Sequence, residues 1–325
     1  QRINSVEGDF AKALTILNEL ALKLRLNRFR RGAINFETTE VKFQLDPQGK
    51  PLAVIPKIRK DAHKLIEEFM LLANRTVAEF VYHRKKGQHK DTFVYRIHDY
   101  PDPEKLTAFS VFARKFGHDL EIREQAIAKS LNNLIDDIEG KPEQDVLQQL
   151  AIRTMAKAKY TTEAKGHFGL AFDHYSHFTS PIRRYPDVMV HRLLAHYLDG
   201  GPSVEKDEYE PLCQHSSERE KRAADAERAS VKYKQVEFMQ TMEDQEFEGI
   251  VSGVTEWGIY VELVETKCEG MVRLSDLKDD YYQFDEENYR VIGQRTKNVI
   301  TLGDMVTVIV KKTDIDRRTI DLQMV

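Results

Sequence analysis

Apolar residues recur at helical spacing over most of the first 240 positions and switch to alternation at about residue 244. Residues 10–27 place Phe10, Ala13, Leu14, Leu17, Leu20, Ala21 and Leu24 on one face, which predicts an amphipathic helix in need of a partner surface. β-Branched and aromatic residues from Ala33 to Phe43 and from Pro51 to Ile58 flank Asp46-Pro47-Gln48-Gly49 and predict a hairpin. From Asp61, the spacing of Leu65, Ile66, Phe69, Leu72, Ala73, Val77, Phe80 and Val81 predicts a long helix that packs these residues inward and ends near Gly87. Thr92 to His98 reads as a short strand with Phe93 and Tyr95 on one face. Further helices are expected from Asp102-Pro103 to Gly117, over 121–138 and over 142–159, with Gly140 and Pro142 between the last two. Residues 207–242 read as one long, charged, solvated helix.

Beyond Asp244, residues 247–254 and 257–263 suggest two strands joined by a short turn, and 270–272, 305–310 and 319–324 continue the alternation. Five strands in about 80 residues suit a small closed barrel of the OB type. The chain is therefore expected to be an α+β portion with many helices and a mixed sheet over 1–243, followed by an all-β OB-fold barrel over 244–325.

Composition narrows the class. At 325 residues, with 41% hydrophobic and 31% charged positions, the chain is long enough for two domains and has the balance of a soluble globular protein. No apolar run reaches membrane-helix length and no signal-peptide pattern is present, so a cytoplasmic monomer with no membrane partner is expected. Two isolated cysteines, Cys213 and Cys268, suggest neither a disulfide scaffold nor a zinc site. The net charge of −4 excludes global attraction as the basis of nucleic-acid binding, which would need locally clustered cations. Residues 244–325 hold 10 Lys and Arg against 17 Asp and Glu, a net of −7, which leaves +3 for the remainder. Starting at Gln1 and entering a helix almost at once, the sequence reads as part of a longer chain.

Chemistry concentrates between His167 and His191, HFGLAFDHYSHFTSPIRRYPDVMVH. Tyr175 to Thr179 looks extended, Ser180-Pro181 looks like a turn, and Val188, Leu193, Leu194, Tyr197 and Leu198 are spaced for a helix that starts at Pro186-Asp187. Arg183 and Arg184 thus sit at a junction ahead of a helix N-terminus, where free N–H groups favour an anion. On an extended segment their side chains point to opposite sides, so one faces a cleft while the other braces the loop, and Arg183 is the better cleft candidate. A guanidinium there suits two phosphate oxygens. The competing reading is that both arginines pair with nearby acids and only hold the loop to the helix. Elsewhere, Arg25, Arg28, Arg30 and Arg31 either line a phosphate channel or form a solvated helix end. Phe93 and Tyr95 are base-stacking candidates or core. Trp257, Tyr260 and Arg273 form a stacking platform, unless Trp257 plugs the barrel end.

His167-Phe168-Gly169-Leu170, Tyr175-Ser176, Phe178 to Tyr185, Asp187 and His191 together resemble the signature of the RNB domain of ribonuclease II and ribonuclease R exoribonucleases. The resemblance extends through Arg31 to Phe36, Asp61 to Glu68, Ala73-Asn74 and Tyr95 to His98, and residues 245–325 resemble the S1 RNA-binding domain that follows the catalytic domain. It implies processive 3′-to-5′ hydrolysis of single-stranded RNA to nucleoside 5′-monophosphates with Mg2+. It assigns the transition-state phosphate to Arg183 and leaves Arg184 as a structural residue or backbone contact. It points to an RNA-stacking aromatic near Phe93 and Tyr95, and to Glu227 as a helix glutamate that influences RNA release. The family's D-x5-D-x-D-D metal cluster does not occur in this sequence. The ligands are therefore expected upstream and this chain alone is expected to be inactive. The alternative is a non-catalytic RNA-binding or scaffold protein that keeps the RNB framework.

Overall fold

The computed structural model describes residues 7–36, 41–87, 89–141 and 143–325. In chain order its elements are α1 (Ala11–Arg30), the hairpin β1 (Val41–Leu45) and β2 (Pro51–Pro56), α2 (Asp61–Arg84), β3 (Tyr95–Ile97), α3 (Pro103–Lys115), α4 (Ile127–Ile138), α5 (Gln144–Thr154), β4 (Lys159–Thr161), α6 (Tyr185–Leu198) and α7 (Lys206–Met239). Eight strands follow: β5 (Glu246–Val254), β6 (Gly258–Leu263), β7 (Glu269–Arg273), β8 (Tyr282–Asp285), β9 (Arg290–Gly293), β10 (Val299–Thr301), β11 (Met305–Asp314) and β12 (Thr319–Met324). The chain divides into two compact units that interleave in sequence. Of the described residues, the first comprises 7–36, 59–87, 89–137 and 150–223, the second 41–58, 138–141, 143–149 and 224–325.

In the first unit the long helix from Asp61 forms as its spacing predicts, but its buried stripe is Leu65, Glu68, Leu71, Asn74, Ala78 and Val81. Ile66 and Phe80 are exposed. The stripe turns toward two polar residues because each has a buried partner: Glu68 accepts from Arg28 of α1, and Asn74 binds the central loop. α1 has only Ala21 and Arg28 buried, so Phe10, Leu14, Leu17 and Leu20 remain exposed. Residues 142–159 are not one helix. α5 ends at Thr154, and Lys159–Thr161 pairs antiparallel with Tyr95–Ile97. Pro142, read as a separator, lies outside the described residues, as do residues 37–40 before the hairpin. Phe93, Val94, Tyr95 and Ile97 are enclosed by Ala78, Val81, Tyr160, Met189, Val190, Leu193 and Tyr197, so β3 runs through the core between α2 and α6.

In the second unit the hairpin turns on Asp46, whose Oδ1 accepts the amides of Gln48 at 2.9 Å and Lys50 at 2.8 Å, with Gly49 at φ 82°. The five strands expected from alternation close into a barrel in the order β11-β12-β7-β6-β5. Its interior is filled by Val251, Ile259, Val261, Leu263, Val272, Val308, Val310, Ile320 and Leu322. Between β7 and β11 lies an antiparallel sheet, β10-β9-β8, that the sequence reading does not contain. Its strands are three or four residues long, too short for alternation to register.

The parallel pairing of β12 with β7 completes the barrel, and Gly270 makes it possible. A Cβ there would lie 2.6 Å from Leu322 Cγ and 2.8 Å from the Ile320 carbonyl oxygen. Gly270→Val is expected to destabilise the barrel by about 1–3 kcal/mol in chemical denaturation followed by circular dichroism. An unchanged midpoint would show that the closure tolerates the side chain.

Candidate functional site

The segment from His174 to Arg184 contains no helix or ladder, so side chains satisfy its backbone. Asn74 Oδ1 accepts the amides of Phe178 at 2.9 Å and Thr179 at 3.2 Å, and its Nδ2 donates to the Tyr175 hydroxyl at 3.0 Å. Asp187, fully buried in the first turn of α6, accepts the Ser180 amide at 2.7 Å on the same oxygen that receives Arg184 at 2.8 Å. His191 Nε2 donates to the Phe178 carbonyl at 2.9 Å and its ring stacks on Phe178 with centroids 4.1 Å apart. Ser176 Oγ donates to the Val94 carbonyl, and the Arg96 amide donates to the Tyr175 carbonyl, which ties the loop to the core strand.

The tip of the loop is a turn in which the amides of Arg183 and Arg184 both donate to the Ser180 carbonyl. Arg184 folds back onto Asp187. Arg183 is exposed, with no ion-pair partner among the described residues. The two arginines therefore have different environments, one tied and one open. Ile182 beside them is 99% exposed.

Behind the tip, His177 Nδ1 shares a 2.7 Å hydrogen bond with the Tyr160 hydroxyl, and Arg96 donates to both oxygens of Glu220 at 2.5 and 2.9 Å while lying over the Tyr160 ring. Burial, reinforced by Arg184 and Arg96, pushes the His177 pKa down to about 2. Burial and the neighbouring His98 hold His167 at about 3. His98 is fixed in one tautomer: Nε2 donates to the Ala156 carbonyl and Nδ1 accepts the Gly169 amide. His98 and His177 are held by hydrogen bonds, whereas His167 packs against His98 and Tyr175 with its buried Nδ1 unpartnered. Among the described residues, no group of three or more His, Cys, Asp or Glu side chains is placed to hold a metal ion.

Phe93 and Tyr95 require a correction. Their exposures are 0% and 1%, and both rings belong to the core around β3, so neither offers a face to a base. In the second unit, Glu227 is exposed on α7 and Trp257 is 73% exposed in the turn before β6, not plugging the barrel. Tyr260 follows two residues after Gly258, and Arg273 pairs with Gly258 across the ladder, so both point outward on one face. The Met271 side chain closes over Gly258, where a Cβ would lie 2.9 Å from its Cγ, and Arg273 is tethered to Asp321 at 2.9 Å. Sequence reasoning assigns no role to Asn74, although an Asn on the buried side of an otherwise apolar helix is a signal of a loop anchor.

The half-buried His167 and His177 are neutral in the folded chain, whereas the unfolded chain protonates each below about pH 6.5. Their contribution is complete above that pH and is lost as pH falls toward the folded values. Stability should drop from pH 6.5 to 4 by up to about 1.4 kcal/mol per pH unit for each histidine, and His177→Gln should reduce the slope. Equal slopes in parent and variant would show that His177 is not held neutral.

The RNB domain family model matches residues 2–200, and the S1 RNA binding domain model matches residues 240–324. Ribonuclease R 1 of Lactococcus lactis is 39% identical over 310 residues, which cover 94% of this chain and 37% of that protein. Ribonuclease R of Aquifex aeolicus is 36% identical over 324 residues, covering 98% of this chain and 45% of that protein. The chain thus spans less than half the length of these relatives. Mycoplasma genitalium RNase R in complex with ribose methylated single-stranded RNA matches with a TM-score of 0.91 at 24% identity, over 99% of this chain and 51% of that one. Yeast Ssd1, described as a pseudonuclease, matches with a TM-score of 0.65 at 21% identity, over 89% of this chain and 36% of that one. At these identities the structural likeness establishes the fold, a helix-rich RNB portion followed by an OB barrel. With the first match extending over more than half its residues, the chain belongs to the RNB family, that of ribonuclease R and ribonuclease II.

Proposed function

We propose that this chain supplies the phosphate-binding loop and RNA-guiding surfaces of a 3′-to-5′ exoribonuclease that hydrolyses single-stranded RNA processively to nucleoside 5′-monophosphates. The observation that carries this reading is the unpaired, exposed guanidinium of Arg183 on a loop fixed by buried anchors. Arg183 donates two N–H groups to phosphate oxygens whose charge grows as water attacks, and Arg184 holds the turn through Asp187. Trp257, Tyr260 and Arg273 on the barrel contact the strand, and Glu227 influences RNA release.

The expected metal is Mg2+. The described residues do not fit it, since no cluster of three acidic or imidazole ligands converges. Its ligands belong to residues other than those described, and this chain by itself does not cleave RNA. The same observation favours a second reading, a non-catalytic RNA-binding protein on the RNB framework, as the fold likeness to a pseudonuclease allows.

Single-stranded RNA with a free 3′ end, incubated with this chain and Mg2+, should remain full length; shortening would overturn the assignment of the metal ligands elsewhere. In a polypeptide that joins the chain to a metal-binding segment, Arg183→Ala should lower kcat by roughly 10²–10³ while changing the RNA Kd much less. Equal losses in both would make Arg183 an anchoring residue. No turnover in that polypeptide would favour the scaffold reading.

A further inference from the structure

The arginines at the end of α1 line a cavity that the Arg183 loop does not use. Arg28, Arg30 and Arg31 face Glu68 and Arg75 of α2 across about 410 Å3, with Phe172 on one wall. Four arginines thus meet a single carboxylate, and that carboxylate is already paired: Glu68 accepts from the buried Arg28 guanidinium at 2.5 Å. Arg30 and Arg31 are exposed, with no carboxylate partner among the described residues. Arg75 lies with its guanidinium carbon 5.4 Å from the centre of the Phe172 ring. Its Nε is buried without an acceptor, although Glu79 lies 3.4 Å away. With Arg28 paired to Glu68 and Arg75 to Glu79, Arg30 and Arg31 are the two unmatched cations at this cavity, and in a chain of net charge −4 they give it a local field for an anion. Planar guanidinium donors fit the paired oxygens of a phosphate.

Arg31 and Phe172 also line an adjoining cavity of about 510 Å3. There Tyr100, 52% exposed, packs on Phe168 with ring centroids 4.9 Å apart, leaving an aromatic surface open. His98 lines this cavity and packs on Gly169, where a Cβ would come within 3.1 Å of its Nδ1, so a larger residue at 169 would displace that imidazole. A cation-lined cavity beside an aromatic one, with shared walls, has the layout of a phosphate next to a base.

We propose that these adjoining cavities bind one ribonucleotide unit, with its phosphate among Arg30, Arg31 and Arg75 and its base against Tyr100. This rests on the RNA reading above only for the identity of the ligand. The same phosphate chemistry is offered by an internal unit of a strand and by a free nucleoside monophosphate, and titration calorimetry of the chain separates the two. The ligands are adenosine 5′-monophosphate, inorganic phosphate and a short oligoadenylate.

Arg31→Gln and Arg75→Gln should each weaken the phosphate-bearing nucleotide roughly tenfold. Tyr100→Ala, at an exposed position that does not endanger folding, should weaken the nucleotide and leave inorganic phosphate unchanged. Losses with the monophosphate assign the site to a free nucleotide, and losses with the oligonucleotide alone assign it to a strand; either supports the proposal. It is overturned if neither ligand binds the parent chain. It is also overturned if both bind the Arg31→Gln/Arg75→Gln double variant with parental affinity at an unchanged Tm. Oligonucleotide binding that is lost in Arg183→Ala but intact in the double variant would remove this site and leave the Arg183 reading standing.

Discussion

Asn74 is an amide on the buried stripe of a helix, and its carbonyl oxygen closes two backbone N–H groups of a loop that has no ladder of its own. An unmade bond of this kind costs about 1–3 kcal/mol when its partner stays buried. Asp187 does the same for the Ser180 amide from the other side, at the start of α6. Between these two anchors the chain turns tightly, and Arg183 is what the turn leaves outside. Arg184 has its acceptor in Asp187 and Arg96 has Glu220, so the nearby carboxylates are taken by arginines other than Arg183. The open guanidinium is thus a result of how the buried acceptors are allotted, and the position of the loop depends on α2 and α6 being packed around β3.

Much of this fold is legible in the sequence because it is periodic. The helix from Asp61, the long charged helix, the Asp46 hairpin and five barrel strands follow from spacing and turn chemistry. The failures come where tertiary pairing overrides a local pattern. Lys159–Thr161 continues what reads as a helix, yet it is recruited as a strand because Tyr160 is a core neighbour of β3. The stripe of α2 is turned by its polar members, since Glu68 and Asn74 have buried partners and Ile66 and Phe80 have none that require burial.

The candidate site is legible in part. Position relative to the Ser180-Pro181 turn distinguishes Arg183 from Arg184, and the structure places the two in different environments. Strand pattern alone could not decide whether Phe93 and Tyr95 stack on bases or fill the core, because both uses ask for the same residues at the same spacing; burial decides for the core. The basic run at the end of α1 divides in a way no spacing predicts. Arg28 is sealed against Glu68, while Arg30 and Arg31 stay available at a cavity completed by Arg75, which lies over 40 residues away in sequence.

The central claim is that the loop is held in place before any RNA arrives. Amide hydrogen exchange of Phe178, Thr179 and Ser180 in the RNA-free chain tests this most directly. Protection close to that of the β3 core amides, lost for Phe178 and Thr179 in Asn74→Ala, is the expected result. Exchange of these three amides at the rate of an open surface loop would contradict it.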